Sequence, residues 1–149
     1  MRRPAVQEQH FEACRHPAGE SRPGGPDSRD HAGGPRDPSP FCQACRVTPE
    51  KFQQLTSVSR ETLLHFKNYH SLTLKWQAKI NLISPTTIEE IWERHIFDSA
   101  QLFHLVSDDD EVVIDLGSGA GFPGLVLALI ARDSGRKTIF HLVEVDSRK

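Results

Sequence analysis

Long apolar runs are missing from this chain of 149 residues: the longest uninterrupted one, Leu125 to Ala131, is far short of the roughly 18 residues that cross a bilayer. Met1-Arg2-Arg3-Pro4 leads into no apolar signal core, so the sequence reads as a soluble, non-secreted protein. Cysteine is scarce and odd in number, with only Cys14, Cys42 and Cys45. That excludes a disulfide scaffold and points to a reducing cytoplasm. Neither sign of charge is in excess, since 18 Lys+Arg stand against 20 Asp+Glu for a formal net charge of −2. A strongly basic nucleic-acid-binding domain is therefore excluded, and any RNA partner has to be argued from a local site.

What is present divides unevenly. Residues 1–46 hold most of the proline and half of the glycine, with arginines balanced by acids and no apolar periodicity. Such a composition cannot bury enough apolar area to offset backbone entropy, so this stretch reads as a disordered tail without a role in the fold. Cys42-Gln43-Ala44-Cys45 has the spacing of half a zinc site, but no second ligand pair follows it. Incidental thiols are the reading, and no metal is expected.

Residues 47–107 read as a helical segment. Thr48-Pro49-Glu50 is a helix start with a side-chain cap, a proline at the first position and an acid in the first turn, giving a short helix to about Thr56. Ser59 caps a longer helix whose apolar stripe runs through Leu63, Phe66, Tyr69, Leu72, Trp76 and Ile80, with Pro85 as its end. Thr87-Ile88-Glu89-Glu90 has the form of a capping box. It precedes a second stripe of Ile88, Ile91, Trp92, His95, Ile96, Ser99, Leu102, Phe103 and Val106.

After the acidic loop Ser107-Asp108-Asp109-Asp110 the pattern changes. Glu111 to Leu116 is a β-branched run ending at glycines, as a buried parallel strand reads. Gly117 to Gly121 is then a turn, Phe122 to Arg132 a helix, Asp133-Ser134-Gly135 its stop, and Thr138 to Val143 a second strand. Together these form one βαβ unit, and residues 108–149 open a sheet domain.

The glycine loop from Asp115 to Gly124 carries most of the functional information. Glycines allow positive φ and close approach of a ligand, while the following helix offers unpaired N–H groups and its positive dipole end to an anionic or carboxylate-bearing cofactor. Glu144 stands 20 residues past Gly124, the offset at which an acid accepts the hydroxyl hydrogens of an adenosyl ribose. Two cofactors compete here. Gly119-x-Gly121-x-x-Gly124 satisfies the dinucleotide pattern of a nicotinamide oxidoreductase. Asp115-x-Gly117-x-Gly119-x-Gly121 is the acid-first loop of S-adenosylmethionine enzymes, in which Asp115 suits a cationic amine and no pyrophosphate. A tight turn without any ligand is the third reading.

Four blocks carry a family resemblance. They are Lys75-Trp76-Gln77-Ala78-Lys79-Ile80-Asn81-Leu82-Ile83-Ser84, Arg94-His95-Ile96-Phe97-Asp98-Ser99, Asp115 through Gly124, and Glu144-Val145-Asp146-Ser147-Arg148-Lys149. In order and spacing they resemble the small-subunit ribosomal RNA methyltransferase G family, the guanine-N7 methyltransferases also called glucose-inhibited division protein B. The resemblance covers roughly residues 48–149, with Gln77 where many members have Asn. It implies an α/β fold in which N-terminal helices precede a Rossmann-like class I methyltransferase sheet. Members of the family continue through further strands, so it also implies an incomplete, C-terminally truncated sheet holding the first two parallel strands. The implied activity is S-adenosylmethionine-dependent methylation of guanine N7 in small-subunit ribosomal RNA, in the cytoplasm. A fragment retaining only a binding role is the alternative to an active enzyme.

By resemblance, Asp115, Gly117, Ser118, Gly119, Gly121 and Phe122 hold the methionine end of the cofactor and Glu144 its ribose. Phe122 also reads as an ordinary core residue at a helix start. Arg94 and Asp98, four apart, read on spacing as a surface ion pair, and His95 as a hydrogen-bonded core histidine. The family block implies instead that these three line the cofactor or RNA cleft. Lys75 and Lys79 read as a solvated helix face; Arg148 and Lys149 as phosphate contacts or a first helical turn. No catalytic base is expected, because guanine N7 offers an in-plane lone pair with no proton to remove.

Overall fold

The computed structural model describes residues 46–148; the expectations for the tail and its cysteines lie outside the described residues. Thr48 opens α1 (Pro49–Thr56) by accepting the Lys51 N–H at 3.2 Å. Ser59 opens α2 (Arg60–Gln77), accepting the Thr62 N–H at 3.1 Å. Both starts follow from a hydroxyl supplying an acceptor that the first turn lacks. The stripe of α2 is interior only in its first half. Leu63 and Phe66 are buried, whereas Leu72 and Trp76 are 52% and 47% exposed, because Thr73 takes the inward position near the end of the helix.

α2 stops at Gln77 rather than running on to Pro85. The Gln77 amide is the reason: Oε1 accepts the Leu82 and Ile83 N–H groups at 2.8 and 2.9 Å, and Nε2 donates to the Ile83 carbonyl at 2.9 Å. Pro85 opens a 3₁₀ helix, Pro85–Glu90, instead of ending a helix. The expected capping box does not form, since Thr87 Oγ1 donates to the Ser84 carbonyl at 3.0 Å and sits 2.7 Å from His95 Nε2. The single helix expected after it is a composite of a wide π-helix (Trp92–Phe97), α3 (Asp98–Gln101) and a 3₁₀ helix (Leu102–Leu105). Its inward side still buries Ile91, Ile96, Ser99, Ala100 and Val106.

β1 (Val112–Leu116) pairs in parallel with β2 (Ile139–Val143), Val112 opposite Ile139 and Leu116 opposite Val143. The crossover α4 (Gly124–Asp133) begins two residues later than Phe122, the expected start. The loop before it is tied down elsewhere: Gly117 and Ser118 donate to the Val143 carbonyl at 2.8 and 3.1 Å, and Gly121 to the Ser118 carbonyl at 2.6 Å. The expected burial of β1 is not met: Val113 and Asp115 on one face are half-buried, and the other face is open. Val112, Ile114 and Leu116, with Ile139 and Val143 beside them, are 45–77% exposed, because α4 is the one helix between the strands.

The core lies between the helical segment and α4. Phe52, Phe66, Ile91, Ile96 and Val126 are fully buried, with the Phe52 and Phe66 rings edge-on at 4.9 Å. Asp133, at the end of α4, accepts the Ser59 N–H at 3.1 Å and the Thr62 hydroxyl at 2.7 Å, so the two helix ends are fastened together. Burial works against the Asp133 carboxylate, and the hydrogen bonds from Ser59 and Thr62 outweigh it, leaving its pKa lowered. Helices first, then a two-stranded parallel sheet with one crossover: this is the incomplete α/β arrangement expected from the sequence.

Candidate functional site

Open α/β sheets bind ligands beyond the carboxyl ends of their strands, and there the structure gathers the glycine loop and Glu144. Glu144 Oε2 accepts the Gly119 N–H at 2.7 Å, and Oε1 accepts the Asp146 N–H at 2.8 Å. The acid after β2 is thereby held against the loop after β1. Gly117, Gly119 and Gly121 all have positive φ. At Gly121 a side chain would also meet the Tyr69 hydroxyl at 3.0 Å and Leu125 Cβ at 3.2 Å, so both conformation and space demand glycine. Ser118 is buried, with its N–H committed to Val143.

Asp115 does something the sequence did not announce. Its Oδ2 accepts the Gly124 N–H at 2.9 Å, so a carboxylate of the chain itself occupies the start of α4. The sequence placed an anionic or carboxylate-bearing cofactor at this end of the helix, and one of the N–H groups there, that of Gly124, is taken up by Asp115. The Leu125 N–H is also spent, on the Gly121 carbonyl at 2.8 Å. A pyrophosphate would meet a fixed negative charge and few open donors, which weighs against the dinucleotide reading.

The helical segment closes over this loop through aromatic contacts. Phe122 is half-buried between Tyr69 and His95, its ring centroid 5.1 Å from each. The Tyr69 hydroxyl donates to the Ala120 carbonyl at 2.7 Å. Burial, with the Asp115 charge nearby, pushes the Tyr69 phenol far above its usual range, so it stays a donor. His95 bonds Thr87 through Nε2; burial holds its pKa below the ordinary value, Asp98 opposing and Arg94 adding to the effect. Arg94 and Asp98 are exposed and form no ion pair with each other, contrary to spacing, and Asp98 instead accepts from Gln101 at 3.4 Å. Of the three block residues, His95 alone reaches the loop, through Phe122. Arg148 forms an ion pair with Asp146 through Nη2 at 2.8 Å, and its Nε donates to the same carboxylate at 2.9 Å.

Sequence reasoning placed Tyr69 in an apolar stripe and missed its clamp on Ala120. A usable signal existed, because a buried tyrosine hydroxyl needs a partner. Among the described residues, no cluster of His, Cys, Asp and Glu has the arrangement to hold a metal, and no helix is long and apolar enough to cross a membrane.

Comparison with known proteins shows the family. The family model described as rRNA small subunit methyltransferase G matches residues 62–149. Curated relatives with the name ribosomal RNA small subunit methyltransferase G include one from Paramagnetospirillum magneticum, 50% identical over 101 residues (68% of this chain, 47% of the relative). Others come from Orientia tsutsugamushi strain Boryong, 54% identical over 93 residues (62% and 44%), and Jannaschia sp., 53% identical over 92 residues (62% and 44%). The chain spans about half the length of the curated relatives it matches. No solved structure matches it.

Proposed function

The chain belongs to the rRNA small subunit methyltransferase G family, and from that membership we propose that its glycine loop and Glu144 are the S-adenosylmethionine end of an enzyme acting on guanine N7 of small-subunit ribosomal RNA in the cytoplasm. The observation that carries this is the 2.7 Å contact between Glu144 and Gly119 at the carboxyl ends of two parallel strands. It puts a hydroxyl-accepting carboxylate and a close-approach backbone side by side, as an adenosyl ribose next to a methionine chain requires.

When bound, the cofactor supplies a methyl group on a sulfonium centre. Glu144 accepts the ribose hydroxyls, and Gly117, Ser118, Gly119 and Gly121 bring backbone against the methionine portion. Asp115 keeps a negative charge beneath the loop, in keeping with a cationic amine rather than a pyrophosphate. Phe122, fixed by Tyr69 and His95, walls the site and excludes water. Arg94 and Asp98 border the cleft as RNA-facing groups rather than as catalysts. No residue needs to take a proton from N7, so the contribution of the chain is alignment and desolvation. Because N7 lies on the groove edge that A-form RNA closes off, the target guanine is unpaired or turned out of its stack.

Isothermal titration of the full chain with S-adenosylhomocysteine and with NAD tests the assignment. The first binds and the second does not, and Glu144→Ala weakens the first by about 1–3 kcal/mol, as for a charged acceptor removed from bound hydroxyl groups. NAD binding with no response to S-adenosylhomocysteine overturns it.

A further inference from the structure

Beside the glycine loop lies a cavity of about 350 Å³ lined by Tyr69, Leu72, Thr73, Trp76, Gly119 and Arg148, among others. Glu144 is not among its lining residues, and the cavity adjoins the cofactor loop at Gly119, whose N–H Glu144 holds. We propose that this cavity is a nucleobase site, in which an unstacked purine of single-stranded RNA packs on the indole of Trp76. The proposal rests on the methyltransferase reading for the identity of the RNA, and on the cavity alone for the class of ligand.

Its first support is the exposure at the end of α2. Leu72 and Trp76 belong to the apolar stripe of α2, yet they leave the core and present themselves to the cavity, 52% and 47% exposed. A half-exposed indole on a cavity wall is a stacking platform for any base. The second support is charge. Lys79 Nζ lies 4.9 Å from the centroid of the Trp76 ring, a cation over the π-face. An adjoining cavity of about 380 Å³ is lined by Lys79, Ile80, Asn81, Asp146 and Arg148, so Arg148 borders both spaces. Asp146 holds the Nε and Nη2 of Arg148, which fixes the guanidinium and leaves its Nη1 donors for a phosphate. Apolar wall, indole and flanking cations form the combination by which single strands are held, base on the ring and backbone on the charges. The volume is at the small end of ligand sites and suits one base rather than a dinucleotide.

Fluorescence provides the test, because a purine stacked on an indole quenches it. The full chain carrying Trp92→Phe keeps Trp76 as its single tryptophan. It is titrated with a short oligouridylate containing one guanosine, and with the same strand lacking guanosine. Saturable quenching by the first and weaker quenching by the second is the expected result. In the otherwise native chain, Trp76→Ala weakens the guanosine strand by roughly 5- to 150-fold in an anisotropy titration, Trp76→Phe by much less, and S-adenosylhomocysteine affinity stays unchanged in both. RNA affinity that Trp76→Ala leaves unaltered overturns the proposal. So does a parallel loss of S-adenosylhomocysteine binding, which assigns the cavity to the cofactor. S-adenosylhomocysteine binding by the parent without quenching by RNA defeats the base site alone; quenching without S-adenosylhomocysteine binding defeats the cofactor reading and leaves the base site standing.

Discussion

Replacing Gly124 with alanine isolates the purpose of that glycine. Gly124 sits at the start of α4 without a positive φ, so alanine there should stabilise the helix by up to about 1 kcal/mol if nothing stood in the way. Asp115 does stand in the way. The added Cβ would lie 2.6 Å from Asp115 Oδ2, 2.9 Å from its Cβ and 3.1 Å from its Cγ. Swinging the carboxylate aside relieves only the first of these and sacrifices the hydrogen bond to the Gly124 N–H, a loss of about 1.5–3 kcal/mol for a charged acceptor. Moving the strand or the helix instead costs about 1–3 kcal/mol, the range for overpacking a fitted site. Either route outweighs the gain in propensity, so Gly124→Ala is destabilising by about 0.5–2 kcal/mol after the offset. Urea unfolding of the full chain, followed by far-ultraviolet circular dichroism and extrapolated linearly, measures this. A double-mutant cycle with Asp115→Ala adds a check. Once the carboxylate is gone, alanine at 124 should cost less, so the two effects sum to more than the double variant loses. A Gly124→Ala chain with an unchanged or raised urea midpoint would refute the reasoning, and would mean that the approach of β1 to α4 is not what the glycine provides.

Two further outcomes follow from the aromatic clamp. Tyr69→Phe keeps the ring against Phe122 but removes the donor to the Ala120 carbonyl. It should cost about 0.5–1.5 kcal/mol in urea unfolding and weaken S-adenosylhomocysteine in the same titration; unchanged values in both would separate the hydroxyl from loop placement. His70 and His95 both have pKa values lowered by burial, so above the unfolded histidine value both states are neutral and stability is full. As pH falls through about 6.5 the unfolded chain binds protons that the folded chain resists, and stability drops until the folded histidines also charge. His95→Gln should shallow that fall in the urea midpoint, and a slope identical to the parent would remove His95 as a contributor.

How much of this was legible in the sequence depends on how far apart the cooperating residues lie. Thr48 and Ser59 start their helices as read, because a cap acts across three residues. The strand, glycine loop, helix and second strand were legible for the same reason: β-branched runs and glycines act locally on the backbone. Thr87-Ile88-Glu89-Glu90 misled because its threonine found better partners in the Ser84 carbonyl and in His95, eight residues on. Pro85 misled because Gln77 had already turned the chain back. The ties that seat the loop and the helices, Tyr69 to Ala120 and Asp133 to Ser59 and Thr62, join residues 51 to 74 positions apart. No periodicity or cap rule reaches that distance.

The glycine loop itself shows where pattern ends and geometry begins. The same letters satisfied both a dinucleotide spacing ending at Gly124 and an acid-first spacing beginning at Asp115, and in the string the acid itself was the one reason to prefer the second. In three dimensions the first residue of one pattern bonds the last residue of the other, Asp115 Oδ2 on the Gly124 N–H at 2.9 Å. The third glycine of a dinucleotide loop keeps a helix close to its strand, and Gly124 does that here for a different end: it lets a carboxylate in. Once that carboxylate sits at the start of α4, the positive end of the helix is answered from within the chain. On the reading proposed for this loop, a ligand would be selected for a positive group and for hydroxyls that Glu144 accepts, and against a diphosphate. On that reading the acid at position 115 shapes cofactor choice by filling the place where a competing cofactor would put its charge.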